Sequence, residues 1–333
     1  MRIAVMGTGF VARLMCSNIQ AMKNDGSPVE LYAVASRSTE KAEAFARRFH
    51  VQRSYGSYEA MLEDPMVELV YIATPHVMHA EHMKLCIRYG KPILCEKPFT
   101  VNRKEAEEVL KMAHRAGVFV ADGLWARYFP ACGKIRELIS QGAIGEPYFL
   151  KTDFITDLKN KEYIVHPEMA GGSLLTVGVY PISFTGMIMG YDLEHVESSV
   201  TMMESRVDLS ETMFFCYKDG REAQLSASVA GDGRDYRRHA IVYGTNGHMI
   251  INSTSMPSVI HIYESTNPKK LVHSIELPPR YTGYEYEIES CMRAISKGQV
   301  EPEELPHHET LKMMEIMDHL RAQWNMRYPF ENV

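Results

Sequence analysis

Short apolar runs alternate with helix-like segments through the first 120 residues, and this alternation limits the possible folds more than any other feature. The apolar runs occupy residues 2–6, 31–35, 68–75, 92–98 and 118–123, and amphipathic segments lie between them. Strands that alternate with helices of about 10–15 residues form parallel sheets covered by helices. The sequence therefore predicts an α/β domain with a doubly wound parallel sheet, the Rossmann arrangement.

The pattern changes after residue 123. Residues 148–156 and several later runs alternate between apolar and polar side chains, with hairpin-type turns at Lys218-Asp219-Gly220 and Thr245-Asn246-Gly247. These runs indicate a C-terminal α+β domain with an open, mainly antiparallel sheet. Because 333 residues exceed one ordinary core, we predict two domains, residues 1–123 and residues 124–333.

A glycine-rich turn joins the first strand to the first helix. In the stretch GTGFVA at residues 7–12, Gly7 permits a sharp turn, Gly9 leaves room for a pyrophosphate, and Ala12 allows close helix packing. The helix N-terminus supplies unpaired amides and the positive end of a dipole. The alternative is a glycine turn without a ligand. We predict a dinucleotide site at Gly7, Thr8, Gly9, Phe10 and Val11.

The end of the second strand selects the cofactor. Enzymes that bind NAD usually have Asp or Glu there, but this chain has Ser36 and Arg37, with Lys41 one helical turn later. A hydroxyl, a guanidinium and an ammonium suit a 2′-phosphate. We therefore predict NADP(H), with NAD as the second choice. The alternative is that Arg37 is only a solvated surface charge.

A lysine follows the fourth strand, in the stretch Glu96-Lys97-Pro98. Open α/β sheets bind their ligands at the carboxyl ends of the strands, so the Lys97 ammonium is expected in the nicotinamide crevice. The bond between Lys97 and Pro98 is of the type that adopts the cis form readily, which would give a fixed turn.

Composition excludes several classes of partner. The net charge of -6 gives no basic face for nucleic acid, and no stretch approaches the ~20 apolar residues of a membrane-spanning helix. Six scattered cysteines indicate reduced thiols, and no signal peptide is evident, so we expect a cytoplasmic protein. His76, His79 and His82 recur every three residues, a spacing that places them on drifting positions of one helix face, so we predict no metal site.

The motifs together resemble those of the Gfo/Idh/MocA family of oxidoreductases. The resemblance covers nearly the whole chain and rests on the stretch at residues 7–12, on Thr74-Pro75-His76 with His79, on Glu96-Lys97-Pro98, and on residues 170–180. Within that family, Trp125 and the tyrosine at position 180 are similar to the dimeric dihydrodiol dehydrogenases. The resemblance implies a Rossmann domain, a second domain with an open sheet, and a homodimer formed through that sheet face.

The resemblance also implies site residues. Lys97 and Tyr180 become the catalytic pair, in which the phenol protonates the alkoxide left by hydride transfer and the ammonium stabilises the phenolate. The alternative for Tyr180 is a core residue of an apolar helix. Further cofactor-binding residues are Thr74, Pro75, His76, His79, Glu96, Lys97 and Trp125.

Substrate contacts are expected from aromatic residues and from one departure from the family pattern. If the segment around residue 176 is α-helical, Thr176 and Tyr180 share a face, and the family usually has aspartate at the first position. Pro181 is expected to kink that helix or to mark a new start. The predicted substrate-binding residues are Trp125, Phe154, Thr176 and Tyr284, each aromatic one being equally compatible with a core position.

These observations predict an NADP(H)-dependent oxidoreductase. It would transfer a hydride to or from a secondary alcohol or carbonyl carbon of a sugar, polyol or diol, with Lys97 and Tyr180 handling the proton. The alternatives are a dinucleotide-sensing regulator that keeps the fold without catalysis and an NAD-dependent glycosidase.

Overall fold

The chain divides into two compact units, which we describe separately. The computed structural model describes residues 1–232, 238–265 and 270–332. The first unit contains Met1–Leu124 and Arg280–Thr310, and the second contains Trp125–Pro279 and Leu311–Val333. The predicted first boundary differs by one residue. The prediction of 124–333 as one continuous domain differs more, because residues 280–310 belong to the first unit.

A six-stranded parallel sheet forms the centre of the first unit, as the sequence predicts. Its strand order is β3-β2-β1-β4-β5-β6, and every neighbouring pair is parallel. The strands are β1 (Arg2–Met6), β2 (Glu30–Ala35), β3 (Arg53–Tyr55), β4 (Leu69–Ile72), β5 (Ile93–Glu96) and β6 (Val120–Gly123). The helices that precede residue 124 are α1 (Phe10–Asn24), α2 (Thr39–Phe49), α3 (Tyr58–Leu62), α4 (His79–Arg88) and α5 (Arg103–Ala116).

Local signals define the ends of these helices. Ser38, Ser57 and Asn102 are the N-caps of α2, α3 and α5, and each accepts a hydrogen bond from a backbone N–H three residues later. Gly117 ends α5 in the left-handed conformation that glycine adopts without strain. Helix starts at the carboxyl ends of strands therefore follow directly from capping residues in the sequence.

The second unit contains an eight-stranded sheet in the order β14-β13-β12-β11-β7-β10-β9-β8. All pairs are antiparallel except β7 with β10, so the predicted mainly antiparallel sheet is confirmed. The strands are β7 (Pro147–Ile155), β8 (Leu193–Met202), β9 (Asp208–Tyr217), β10 (Glu222–Ser228), β11 (Ala240–Gly244), β12 (Gly247–Ile251), β13 (Val259–Glu264) and β14 (Leu271–Glu276). The remaining helices are α6 (Pro130–Ser140), α7 (Glu162–Val165), α8 (Val179–Met189), α9 (Tyr284–Ser296) and α10 (His307–Gln323).

One face of this sheet packs against α8, and the other carries a row of aromatic rings. On β7, Leu150 and Phe154 are buried, so Phe149 points to the opposite face. There its ring lies 5.8 Å from that of Tyr243, which lies 5.9 Å from His248, and His248 stacks on Tyr263 at 4.8 Å. The face of the sheet opposite α8 therefore carries a row of four aromatic rings.

By length and composition alone, the helical stretch Pro167–Met189 is long and apolar enough to span a membrane. The expectation that no stretch reaches this length is therefore wrong. However, 89% of its most apolar part is buried inside the structure, which is typical of a core helix in a folded domain.

Residues 280–310 belong to the first unit. They contact β6, and a buried side chain organises the loop at their start. The Val120 N–H donates to the Val300 carbonyl at 3.0 Å. The fully buried Glu285 carboxylate accepts backbone N–H groups from Arg280 and Tyr281 at 3.0 Å and from Gly283 at 2.7 Å. One side chain thus fixes the loop that leads into α9.

Glu285→Ala is expected to lower the free energy of unfolding by about 2–4 kcal/mol, because three backbone donors lose their buried acceptor. The measurement is urea denaturation of parent and variant followed by circular dichroism.

The matched control is Glu289→Ala, because Glu289 lies on the same helix as Glu285. This variant removes a partly exposed ion pair between Glu289 and Arg280. Its loss should be below about 1 kcal/mol. Equal destabilisation by the two variants would contradict the role assigned to Glu285.

Candidate active site

The glycine turn after β1 has the geometry that an anion cradle requires. Gly7 has a φ of 107°, and a Cβ atom there would lie 2.7 Å from the carbonyl oxygen of Ala73. Gly9 is the N-cap of α1, and no side chain caps that helix end. The first N–H groups of α1 and the positive end of its dipole are therefore available to a phosphate.

A cavity of about 500 Å³ adjoins this turn, a volume in the range of small-ligand sites. Eight of the residues predicted to bind the cofactor line it together, although they come from three separate segments of the chain. Its lining consists of Gly7, Thr8, Gly9, Ser36, Arg37, Ser38, Lys41, Tyr58, Ala73, Thr74 and Pro75. Tyr58, at the start of α3, was not predicted, since no local motif connects it to the strand ends.

The charge at the end of β2 is positive. Arg37 and Lys41 are exposed, and the described residues include no ion-pair partner for either. The Ser38 hydroxyl accepts the Lys41 N–H at 3.3 Å and donates to Glu40 at 2.6 Å, so it serves as the helix cap. This arrangement leaves two cations available for a phosphate group in the cavity.

His79, for which a cofactor contact is predicted, is held between two backbone carbonyl groups. Its side chain is fully buried, and its Nδ1 and Nε2 lie 2.8 Å from the Pro98 carbonyl and 3.0 Å from the Thr74 carbonyl. His82 Nδ1 lies 2.9 Å from Thr74 Oγ1, and burial lowers the pKa of His82 to about 4. Both imidazoles therefore position the strand-end loops. His76 begins the single turn His76–Met78 next to them.

Metal-ligating side chains do not cluster into groups of three or more anywhere in residues 1–232, 238–265 and 270–332. The imidazoles of α4 instead face backbone carbonyls and a hydroxyl group. The structure thus gives them a structural use that requires no metal.

Glu96 and Lys97 end β5, and the bond between Lys97 and Pro98 is cis. The Tyr71 phenol donates to Glu96 Oε1, and Glu96 Oε2 accepts the Lys97 N–H at 3.2 Å. Burial lowers the pKa of the Lys97 ammonium, whereas the nearby carboxyl groups of Glu96 and Asp122 raise it. Glu96 therefore positions the backbone of Lys97, and its contact with the cofactor stays a prediction.

A further acid lies beside this pair. Glu287 of α9 is fully buried, and neither of its oxygens has a hydrogen-bond partner among the described residues. Burial raises the pKa of Glu287 well above its usual range, and Glu96 and Asp122 raise it further. Burial and the neighbouring acids therefore both favour the protonated form of Glu287. Sequence reasoning missed it because α9 is 190 residues from β5 along the chain.

In the second unit, aromatic side chains surround Tyr180. The Trp125 indole N–H donates to the Tyr180 hydroxyl at 3.0 Å, and the Phe154 ring stacks on that of Tyr180 at 4.9 Å and 17°. The Arg238 guanidinium lies 4.8 Å from the centre of the Phe154 ring. Because the indole is the donor, the phenol acts as acceptor in this bond and its own O–H remains a donor. Two predicted substrate-binding residues, Trp125 and Phe154, are thus contacts of Tyr180.

The segment that carries Thr176 is not the α-helix expected. Leu174–Gly178 forms a π-helical turn in which the Val179 N–H reaches back five residues to the Leu174 carbonyl, and α8 starts at Val179. The expected effect of Pro181 is confirmed, since a new helix begins two residues before it. π-Helical turns are rare and frequent at functional sites. The α-helical spacing assumed for Thr176 and Tyr180 therefore does not apply.

Tyr284, which is also predicted to bind substrate, lies in a different part of the chain. It is the first residue of α9, which belongs to the first unit, and its nearest titratable neighbours include Tyr71.

Comparison with known proteins now identifies the family. Residues 1–124 match the model described as "Oxidoreductase family, NAD-binding Rossmann fold", and residues 133–250 match the GFO/IDH/MocA C-terminal domain. The chain belongs to the GFO/IDH/MocA oxidoreductase family. The resemblance stated from the motifs is confirmed.

Individual relatives agree with this family. The chain is 30% identical to trans-1,2-dihydrobenzene-1,2-diol dehydrogenase of Xenopus tropicalis, covering 90% of this chain and 91% of that one. Its identity to the Mus musculus enzyme of the same name is also 30%, over 99% and 98% of the two chains. The structure of KijD10, a 3-ketoreductase from Actinomadura kijaniata in complex with NADP and TDP-benzene, is 26% identical, with a TM-score of 0.83 and 97% coverage of each chain.

Arg37→Ala is expected to weaken binding of NADPH by about 10- to 100-fold, because a charged contact to the 2′-phosphate is lost, and to change NADH binding by less than about threefold. Fluorescence titration with each dinucleotide measures both dissociation constants.

Arg47→Ala serves as the control. It removes the same charge from α2, but Arg47 is exposed and pairs with Glu43 outside the cavity. If Arg37→Ala weakens both dinucleotides equally, the phosphate assignment is wrong.

Proposed function

We propose that this protein is an NADP(H)-dependent oxidoreductase that interconverts a secondary alcohol and a carbonyl group of a sugar, polyol or diol. The main support is the hydroxyl of Tyr180, which is hydrogen-bonded to a half-buried indole and whose ring is stacked on a phenyl ring, in a chain of an oxidoreductase family. When bound, the dinucleotide supplies or accepts the hydride.

We assign Lys97 and Tyr180 as the proton-handling pair. In reduction, the Tyr180 O–H bond breaks and its proton passes to the substrate oxygen as that oxygen gains the electron pair of the former carbonyl bond. The Lys97 ammonium would stabilise the phenolate that remains, and burial lowers the pKa of Lys97 toward the working range of a proton carrier. In oxidation the same steps run in reverse.

The preference for NADP(H) is supported by the cations at the end of β2 and by the NADP complex of KijD10. The remaining cofactor contacts are assigned to the turn at residues 7–11, to Thr74, Pro75 and His76, and to Trp125. NAD remains the second choice because nothing in the cavity would repel a ribose hydroxyl.

The substrate class is proposed from chemistry and from relatives. Related proteins are named trans-1,2-dihydrobenzene-1,2-diol dehydrogenase or 3-ketoreductase, and these names describe hydroxyl and carbonyl groups, in the first case on a six-membered carbon ring. Trp125, Phe154 and Thr176 would form the substrate wall next to Tyr180, with Tyr284 as a further contact. An aromatic wall suits the apolar face of such rings.

We also propose a cytoplasmic homodimer formed through the open sheet face. The row from Phe149 to Tyr263 gives that face a continuous aromatic surface, and the neighbouring Phe214 is 44% exposed. All six cysteines are free thiols, which supports a reducing compartment. The net charge of -6 supports neither nucleic acid nor an anionic membrane as a partner.

Tyr180→Phe is expected to reduce kcat by about 10²- to 10⁴-fold, the usual contribution of a positioned acid, and to leave NADPH affinity unchanged. The assay follows NADPH absorbance with a panel of cyclic ketones, keto sugars and diols. Lys97→Met should reduce kcat similarly, and the double variant should lose much less than the product of the two single losses if both residues act on one proton.

Tyr217→Phe is the matched control, since this buried tyrosine of the same unit donates to the Gly190 carbonyl at 3.1 Å. A parental rate for Tyr180→Phe would refute its role as the acid. Tight NADPH binding without turnover of any compound would favour a regulator. Release of nitrophenol from aryl glycosides that requires NAD and Lys97 would favour a glycosidase.

A further inference from the structure

The turn that carries Thr176 and leads to Tyr180 rests on two buried carboxyl groups. Asp208 is fully buried in β9, and Glu211, three residues later, is 3% exposed. The Leu174 N–H donates to Asp208 Oδ2, and the Ser173 hydroxyl donates to Glu211 Oε1 at 3.2 Å. Both carboxyl groups therefore hold the start of the π-helical turn.

Glycines at the two ends of the turn allow this close approach. A Cβ atom at Gly172 would overlap Asp208 Oδ1, and one at Gly178 would lie 2.7 Å from Glu211 Oε1. Gly172 also has a φ of 107°, which other residues adopt only with strain. The carboxyl groups thus pack directly on the backbone, so a shift of either one moves the turn.

Burial and mutual repulsion oppose ionisation of both carboxyl groups at once. Burial raises the pKa of Asp208 to about 6, and burial together with the Asp208 charge raises the pKa of Glu211 well above its usual range. No other described residue donates to Asp208 Oδ1 or Glu211 Oε2, but the two side chains satisfy each other when one of them carries a proton. A proton on Glu211, donated to Asp208, meets the needs of both groups.

The titratable groups near Asp208 and Glu211 do not neutralise a negative charge on the pair. Arg321 of α10 lowers the pKa of Asp208 only slightly, because its guanidinium donates to Asp318 and Glu331. The Tyr328 phenol donates to the Gly171 carbonyl at 2.7 Å, and burial raises its pKa well above the usual range, so it stays neutral. Within the described part of the chain, no cation forms an ion pair with Asp208 or Glu211.

We propose that Asp208 and Glu211 share one proton and act together as positioning residues, holding the turn at 174–178 so that Tyr180 keeps its hydrogen bond with Trp125. The assignment of Tyr180 to catalysis belongs to the proposed function, on which the kinetic consequence of this inference rests. The effect of the pair on the turn does not depend on that function and is measured separately.

Acidification tests the charged member of the pair. Near neutral pH, the Asp208 carboxylate accepts a charge-assisted bond from the Leu174 N–H, and below about pH 6 its protonation weakens that bond. The pKa of Asp208 is higher in the folded state than in the unfolded state, so its ionisation lowers the free energy of unfolding as the pH rises. The same ionisation strengthens the bond to the Leu174 N–H and so tightens the turn. Local order at Tyr180 should therefore increase through the same pH range in which global stability decreases.

The first experiment reads the turn through Trp125. The chain has two tryptophans, so Trp324→Phe makes Trp125 the only indole. Its emission should titrate with a midpoint near pH 6 in this background and lose that transition when Asp208→Asn is added. An unchanged transition in the double variant would overturn the proposal.

The second experiment separates charge from shape by kinetics. Asp208→Asn should lower kcat by about 10- to 100-fold, because its neutral amide oxygen holds the Leu174 N–H less tightly than a carboxylate does, with the dissociation constant of NADPH unchanged. Glu211→Gln should stay within about threefold of the parent, because its amide still donates to Asp208 and its carbonyl still accepts from Ser173. Glu211→Leu, which has no donor, should resemble Asp208→Asn.

Asp64→Asn is the matched control in the first unit, where Asp64 accepts hydrogen bonds from the Tyr32 and Tyr55 phenols. It should lower the unfolding midpoint without changing kcat. Equal kinetic losses in Glu211→Gln and Glu211→Leu would refute the shared proton. If the Trp125 transition depends on Asp208 while Tyr180→Phe keeps the parental rate, the pair holds the turn and the proposed function of Tyr180 fails.

Discussion

The removal of carboxyl groups from water is the constraint on which both units depend. An ionised carboxylate inside a protein needs donors or must keep its proton. Glu285 meets this need with three backbone N–H groups, and so it fixes the loop before α9. Glu287 has no such donors in the described structure, and burial raises its pKa. Asp208 and Glu211 combine the two solutions, since one accepts backbone bonds and the other keeps a proton.

The same constraint fixes the backbone around Lys97. The Tyr71 phenol occupies one oxygen of Glu96, which leaves the other for the Lys97 N–H. On the far side of the lysine, His79 faces the Pro98 carbonyl and also that of Thr74. The lysine backbone is therefore held on both sides by buried polar groups. Because the bond between Tyr71 and Glu96 also connects β4 to β5, the position of the lysine backbone follows from the packing of the sheet itself.

The central strands were predictable from the sequence, whereas the missed strands lie at sheet edges. Strands β1, β4 and β5 are buried on both faces, so each appears as a short apolar run. The strands not predicted are β3, β8 and β14, and all three are edge strands of their sheets. An edge strand has one neighbour and little burial, as in β14, where five of six residues are exposed. Such a strand lacks the apolar alternation on which sequence reasoning relies.

Site residues were predictable where a motif close in sequence defines them. They were not predictable where they depend on contacts between segments that are distant in sequence. Arg37 follows a strand directly, so its place beside the glycine turn was evident, but nothing near Val300 indicates that it meets Val120. Glu211 is intermediate between these cases. It occupies an inward position in the alternation of Met213, Phe215 and Tyr217, so the sequence alone signals a buried acid. The pairing of Glu211 with Asp208 is harder to predict from the sequence. It depends on Gly172 and Gly178, which let the turn pack directly on both carboxyl groups.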